Sequence, residues 1–430
     1  MAALHNCGNC KWSPEMAKTC LTLIALLTLS IPTGYANESM AQLPQFKLLI
    51  TPENLHSTKI NVDGTVSTSK SSLQFVLMPW HSYKFDSSGK SIELSDGSKF
   101  NFPDSSLSHI VHFSGSSNMQ APKYFAGSDE IYCLNNSVPN PEVMSDGSYY
   151  DVQFQLPDGY SALVADKDVV QQNGLEFQIA KFGKAIIRKA DKMTVKFIFP
   201  QGFTANEKYL EFIREQVQLD IKLFGRLPFN AIKVGAIRRG GSEEINGNPS
   251  GNLILFSRTA LGDPVHLLSP AKMGISEDIS DPLRKLIVAH ELAHFWFGGR
   301  YQGQDGWMQE GLPQFFGLLA AIRSSSPAKA EALKSFFYKM AKNGPKAPIV
   351  NSKFSEDEAG YLKSYFQAPV ALLLLSEEVG EDKLTHFLLS VYEENSNPKF
   401  ADFDQKFRAE FPASVSKWRE VWQLDAKDCN

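Results

Sequence analysis

The chain has 430 residues and a formal net charge of -4, with both signs spread along its length. It carries no basic block of the kind that would bind nucleic acid, so no nucleic-acid partner is expected. With 43% hydrophobic and 21% charged residues it has a globular make-up, long enough for two domains or three small ones.

The N-terminus reads as a targeting segment. Lys11 and Lys18 precede the apolar run LTLIALLTLSIP, too short to span a bilayer comfortably, and small residues follow at Gly34 and Ala36. Cleavage after Ala36 is expected. Residues 1–36 are then a signal peptide and the mature protein is periplasmic or secreted, without a stable transmembrane segment. The alternative is a retained anchor. Cys7, Cys10 and Cys20 leave with the signal, while Cys133 and Cys429 remain and could form one disulfide in an oxidising compartment.

Residues 37–199 read as a β-rich domain. QFKLLI, LQFVLM, KSIEL, YYDVQFQLP and LEFQIA are short, apolar-rich and broken by Gly, Pro, Asp, Asn and Ser. Asn173 and Gly174 mark a turn before LEFQIA. His56, His81, His109 and His112 show no persuasive ligand spacing and read as structural.

From residue 200 the character changes. NEKYLEFIREQVQLDIKLFG has a helical period and stops at Gly225, and FNAIKVGAIRR and NLILFS read as strands. ISDPLRKLIVAHELAHFWFGG reads as a helix. Ser280 or Asp281 caps it, Pro282 suits its first turn, and Gly298 with Gly299 ends it. His290 and His294 then share one face in the pattern H-E-x-x-H. Two imidazoles and a carboxylate suit a zinc ion with a fourth position open to water, and Glu310 in WMQEG supplies the carboxylate. Asp305 is the first alternative to it. One zinc per chain is expected. Glu291 is spare as a ligand and can move a proton from water to a leaving nitrogen.

Pro313 follows Glu310 by three residues, where a regular helix tolerates proline poorly. The helix carrying Glu310 is therefore expected to begin near Gln309 or later, or to be locally distorted. Downstream, GLLAAIRS, AKAEALKSFFYKMAK, YFQAPVALLLLSEEVG, DKLTHFLLSVYEEN and DFDQKFRAEF read as helices. Trp418 and Trp422, four apart, give the last helix one apolar face to dock.

HELAHFWFGG followed by WMQEG resembles the M1 family of zinc aminopeptidases, which are gluzincins. Trp296 and Gly298 match the family's first motif, H-E-x-x-H-x-W-x-G, and Trp307, Glu310 and Gly311 match its second. Fifteen residues separate His294 from Glu310, fewer than the family usually has. The resemblance implies zinc on His290, His294 and Glu310, with Glu291 as catalytic base. It implies Tyr365 as donor to the oxyanion, with Tyr361 the competing candidate. The family's G-x-M-E-N segment, whose glutamate pairs with a substrate α-amine, has its nearest match at Gly240, Gly241 and Glu243. A surface loop is the other reading of that stretch.

Together these readings give an α+β chain: residues 1–36 as signal, 37–199 as the β-rich domain, and 200–430 as a thermolysin-like, mostly helical zinc peptidase domain. The resemblance implies a saddle-like β domain ahead of it. The extra helical domain that roofs large M1 enzymes has no match here, so an open cleft is expected. The chain would hydrolyse peptide bonds by metal-activated water, as an aminopeptidase by resemblance. The alternatives are a zinc endopeptidase with an open cleft and a non-catalytic peptide-binding protein on a peptidase fold.

Overall fold

Alternating apolar residues in QFKLLITP put Phe46, Leu48 and Ile50 on one face of strand Gln45–Pro52, where all three are buried. The same period recurs in strand Lys59–Thr68, which buries Ile60, Val62 and Val66. These faces belong to a six-stranded sheet, and their core is shared with Ile131, Phe177 and Ile179 of a four-stranded sheet. A three-stranded sheet completes the set among the described N-terminal residues.

The computed structural model describes residues 43–53, 59–68, 72–76, 81–87, 90–93, 98–101, 109–118, 124–126, 130–133, 140–141, 147–171, 174–238, 247, 249–262, 279–297, 306–350, 358–395 and 398–423. The expected signal, Gly240, Gly241, Glu243, Asp305 and Cys429 lie outside the described residues, as does the side chain of Cys133.

A five-stranded sheet supports the rest of the chain. Its order is Ile186–Ala190, Met193–Phe197, Ala231–Ile237, Leu253–Ser257 and Pro249–Ser250. Met193–Phe197 pairs in parallel with Ala231–Ile237, so hydrogen bonding crosses position 200 without a break. The edge is a tight hairpin in which Ser250 pairs with Leu253. Gly251 turns it at φ +61°, a left-handed conformation that glycine adopts freely.

Helices follow in chain order: α1 (Glu207–Phe224), α2 (Ser280–Phe297), α3 (Leu312–Arg323), α4 (Pro327–Asn343), α5 (Glu358–Leu362), α6 (Ala368–Val379), α7 (Glu381–Glu394), α8 (Phe400–Glu410) and α9 (Val415–Trp422). The fold is thus α+β, with strands first and a mainly helical second half. The Asn206 side chain caps α1 by accepting from the Lys208 N–H. Helix α2 is tied to α1 at both ends. Tyr209 Oη donates to Asp281 Oδ1 at 2.7 Å, and Trp296 Nε1 donates to the Gly225 carbonyl at 2.9 Å. Trp418 and Trp422 of α9 are fully buried, so this helix docks as its spacing predicts. Among the described residues no helix is long and apolar enough to cross a membrane.

Candidate metal centre

Helical geometry brings His290 and His294 together on α2. Their Nε2 atoms lie 3.0 Å apart and the rings meet edge to face at 88°. Glu310 arrives from another segment. Its Oε2 lies 3.4 Å from His290 Nε2 and 3.5 Å from His294 Nε2. A tetrahedral ion bonded at about 2.0–2.1 Å separates its ligand atoms by about 3.3 Å. The three atoms therefore form a face of the right size for zinc.

Glu291 stands beside this triangle. One ligand atom from each of His290, Glu291 and His294 lies within 4.8 Å of the others. Its Oε1 is engaged elsewhere, accepting the Gly247 N–H at 3.3 Å. That amide lies two residues before the edge strand Pro249–Ser250, and no side chain fits at position 247. A Cβ there would stand 2.8 Å from Glu291 Cγ and 2.8 Å from the Phe256 ring. Glu310 thus fits as the third ligand, with Glu291 held to one side as a spare carboxylate.

The charges couple strongly. Burial raises the Glu291 carboxyl above the usual range, while His290, His294 and the Gly247 N–H pull it back. Burial also opposes ionisation of Glu310, yet His294 and His290 outweigh it and hold that carboxyl far below the usual range. Burial disfavours a charged His294, but Glu310 more than compensates and raises its pKa. Burial, and then the charge of Glu310, lift the Tyr365 phenol well above its ordinary value, so it keeps its proton.

Tyr365 Oη donates to Glu310 Oε2 at 2.9 Å, and its ring lies 5.9 Å from that of His290. The Tyr361 ring lies 4.8 Å from that of Tyr365, tilted by 36°, and Tyr361 is 48% exposed, so of the two tyrosines it is Tyr365 that reaches the cluster.

Glu310 and Tyr365 each sit in a widened, π-helical turn. Trp307–Gly311 precedes α3, and Lys363–Gln367 precedes α6. Pro313 is the second residue of α3 and Pro369 the second of α6. Each lacks an N–H and crowds the carbonyl four residues back, and an extra residue in the preceding turn relieves both problems. The distortion expected from Pro313 takes this form.

Two glycines at the site were not singled out by reading the sequence: Gly247 and Gly317. A Cβ at Gly317 would stand 2.6 Å from the Leu286 carbonyl oxygen and 3.0 Å from the His290 nitrogen. Here α3 meets the histidine helix backbone to backbone. The sequence does carry a trace of this, since a glycine inside the apolar helix FFGLLAA costs about 1 kcal/mol against alanine and so stands out in that run.

No protein-family profile and no curated protein matches the sequence. Solved structures match in fold. The M1 zinc metallopeptidase from Deinococcus radiodurans gives a TM-score of 0.66 at 16% identity, covering 89% of this chain and 94% of its own. A mutant of that protein bound to a Tyr-Ser-Ala substrate gives 0.65 at 14% identity, covering 89% and 94%. A two-domain M1 zinc metallopeptidase mutant bound to L-tryptophan gives 0.66 at 15% identity, with 89% and 94% covered. The chain has the fold of these metallopeptidases over most of its length.

Proposed function

We propose that the chain is a zinc-dependent peptidase that releases residues from the free N-terminus of peptides. The observation that carries this is the triangle of His290 Nε2, His294 Nε2 and Glu310 Oε2, with sides of 3.0, 3.4 and 3.5 Å and a spare glutamate beside it. Zinc bound there supplies Lewis acidity for a carbonyl and lowers the pKa of a water.

The protein's own groups then divide the work. Glu291 is oriented by the Gly247 amide, and it takes the proton of the attacking water and returns it to the leaving nitrogen. Tyr365 keeps its proton and offers an O–H donor to the developing oxyanion. The carboxylate of Glu310, anionic next to both histidines, offsets positive charge at the centre.

Aminopeptidase action rests on the motif resemblance, and the two related structures bound to a Tyr-Ser-Ala substrate and to an amino acid support it. Export to the periplasm or beyond rests on the N-terminal pattern of Lys11, Lys18, the apolar run and Ala36.

Metal analysis with a peptide scan tests the reading. One zinc per chain in the wild type, lost in His294→Ala, is expected. Free-amine peptides should be trimmed faster than N-acetylated ones. Equal cleavage of blocked peptides at internal bonds would replace the aminopeptidase with an endopeptidase, and equal zinc in both proteins would remove the ligand set.

A further inference from the structure

We infer that Gly311 is a positioning residue: it lets the two widened turns close directly on one another and so sets the spacing of Glu310 and Tyr365. The inference rests on the peptidase reading above and assigns a role to a residue that touches neither metal nor substrate.

Each turn is closed by a bond that skips one residue more than an α-helix does. The Leu312 N–H reaches the Trp307 carbonyl, and the Ala368 N–H reaches the Lys363 carbonyl. The two turns face each other with no side chain between them at Gly311. A Cβ there would stand 2.9 Å from Ala368 Cβ and 3.2 Å from the Ser364 carbonyl oxygen. Both distances fall inside ordinary contact, about 3.5–4.0 Å for carbon atoms. Ser364 and Ala368 are fully buried, so they have little room to retreat.

The first turn cannot back away either. Trp307 is fully buried, with its ring 4.8 Å from Trp422 and 5.1 Å from Phe403. A methyl group at position 311 must therefore push the turns apart. Glu310 is the residue before Gly311, and Tyr365 is the residue after Ser364. The contact between turns is thus one residue from the Tyr365–Glu310 hydrogen bond of 2.9 Å. Ordinary O–H···O bonds run to about 3.0 Å, and this one is already near that limit, so parting the turns at Gly311 lengthens it and loosens the hold on Tyr365.

The test begins with wild-type zinc content and peptidase rate. Their absence would defeat the peptidase reading itself, and the experiments on Gly311 are interpreted only with both present. Gly311→Ala should lower kcat on the order of 10²-fold at nearly unchanged KM, the loss typical of one oxyanion donor. Tyr365→Phe should cost a similar factor in the wild type and almost nothing in the Gly311→Ala background. Equal factors in the two backgrounds would overturn the inference, because Gly311 would then act independently of Tyr365.

A second readout needs no turnover. With 3-fluorotyrosine at position 365, the ¹⁹F resonance should move on Glu310→Gln, and Gly311→Ala should move it the same way. An unmoved resonance in Gly311→Ala would overturn the proposal. If Gly311→Ala does not fold, the swap Gly311→Ala/Ala368→Gly removes the facing methyl. Recovery of fold and rate in the swap supports the pairing of the turns, and continued loss refutes it.

Discussion

Gly317→Ala puts a methyl group where α3 meets the backbone of the histidine helix. The added carbon would stand 2.6 Å from the Leu286 carbonyl oxygen, 3.0 Å from the His290 nitrogen and 3.1 Å from His290 Cβ. That is roughly 1 Å inside the optimum for non-bonded atoms. Neither neighbour is a flexible side-chain tip, so α3 must move as a body. Glu310 lies seven residues earlier in the segment that runs into α3 and moves with it. Metal–ligand bonds hold to within about 0.2 Å, so a shift of this size spoils the face offered by His290, His294 and Glu310. We expect zinc affinity to fall about 10–100-fold, as when groups supporting a ligand are removed. We also expect a loss of about 1–3 kcal/mol in stability, the usual cost of overpacking. The sign is diagnostic, because helix propensity alone would make the same change stabilising by up to about 1 kcal/mol. Competition with a chromophoric chelator reads the affinity, and urea unfolding reads the stability. Wild-type values in both assays would refute the reasoning.

Glu291→Gln should retain zinc and lose turnover by roughly 10²–10⁴-fold, the contribution of a positioned base; comparable rates at matched zinc content would remove that role. Tyr365→Phe should lower kcat by a factor corresponding to about 3 kcal/mol, with zinc content unchanged, whereas Tyr361→Phe should matter less because its ring is 48% exposed. A reversed order of the two effects in steady-state kinetics would move the oxyanion role to Tyr361. Asp220 is buried in α1, and burial pushes its carboxyl from 3.8 up to about 8, against the hydrogen bond from Gln216 and the charge of Arg323. A folded pKa above the unfolded one gives stability that is fully present below about pH 4 and lost as pH rises through about 8. The loss is bounded at about 6 kcal/mol by the free energy of 1.36 kcal/mol per pH unit. Asp220→Asn should flatten the decline between pH 5 and 9 in urea titrations, and identical slopes for the two proteins would sink this assignment.

What could be read from the sequence is what local chemistry decides. Helix α2 begins at Ser280, where Ser280, Asp281 and Pro282 announce a start, although these three lie in its first turn and the Ile279 carbonyl takes the first helical bond, from the Leu283 N–H; it is described as far as Phe297, and Gly298 lies outside the described residues. Helix α1 has Asn206 at its start and Gly225 after its end. The helical period alone places His290 over His294. Other features depend on partners distant in the chain. Ile186–Ala190 and Met193–Phe197 have ordinary strand composition, and nothing in them names Ala231–Ile237 as the neighbour they join. Pro313 announces a disturbance, but nothing near it in the sequence names the turn at Ser364 and Ala368 that faces it in space. The stretch 238–257 shows glycines without showing which one approaches Glu291. Among the described residues it is Gly247, through its backbone N–H, a group every residue but proline possesses and composition therefore cannot mark.

The irregular parts of the site need support from outside it, and the C-terminal helices provide it. A widened turn gives up regular hydrogen bonding, and proline in a helix interior costs about 3 kcal/mol where it is not accommodated. Trp307 opens the turn that carries Glu310, and it is enclosed by Phe403 of α8 and Trp422 of α9 at 5.1 and 4.8 Å. Those helices are fixed in turn by Trp418, which stacks on Phe407 at 4.2 Å and donates to Asp404 at 2.9 Å. Aromatic pairs of this kind add about 0.5–1.5 kcal/mol each beyond the area they bury. Several such pairs converge on Trp307, enough to offset one distorted turn. Segments more than 90 residues from Glu310 in the chain therefore belong to the apparatus that aims its carboxylate at the histidines.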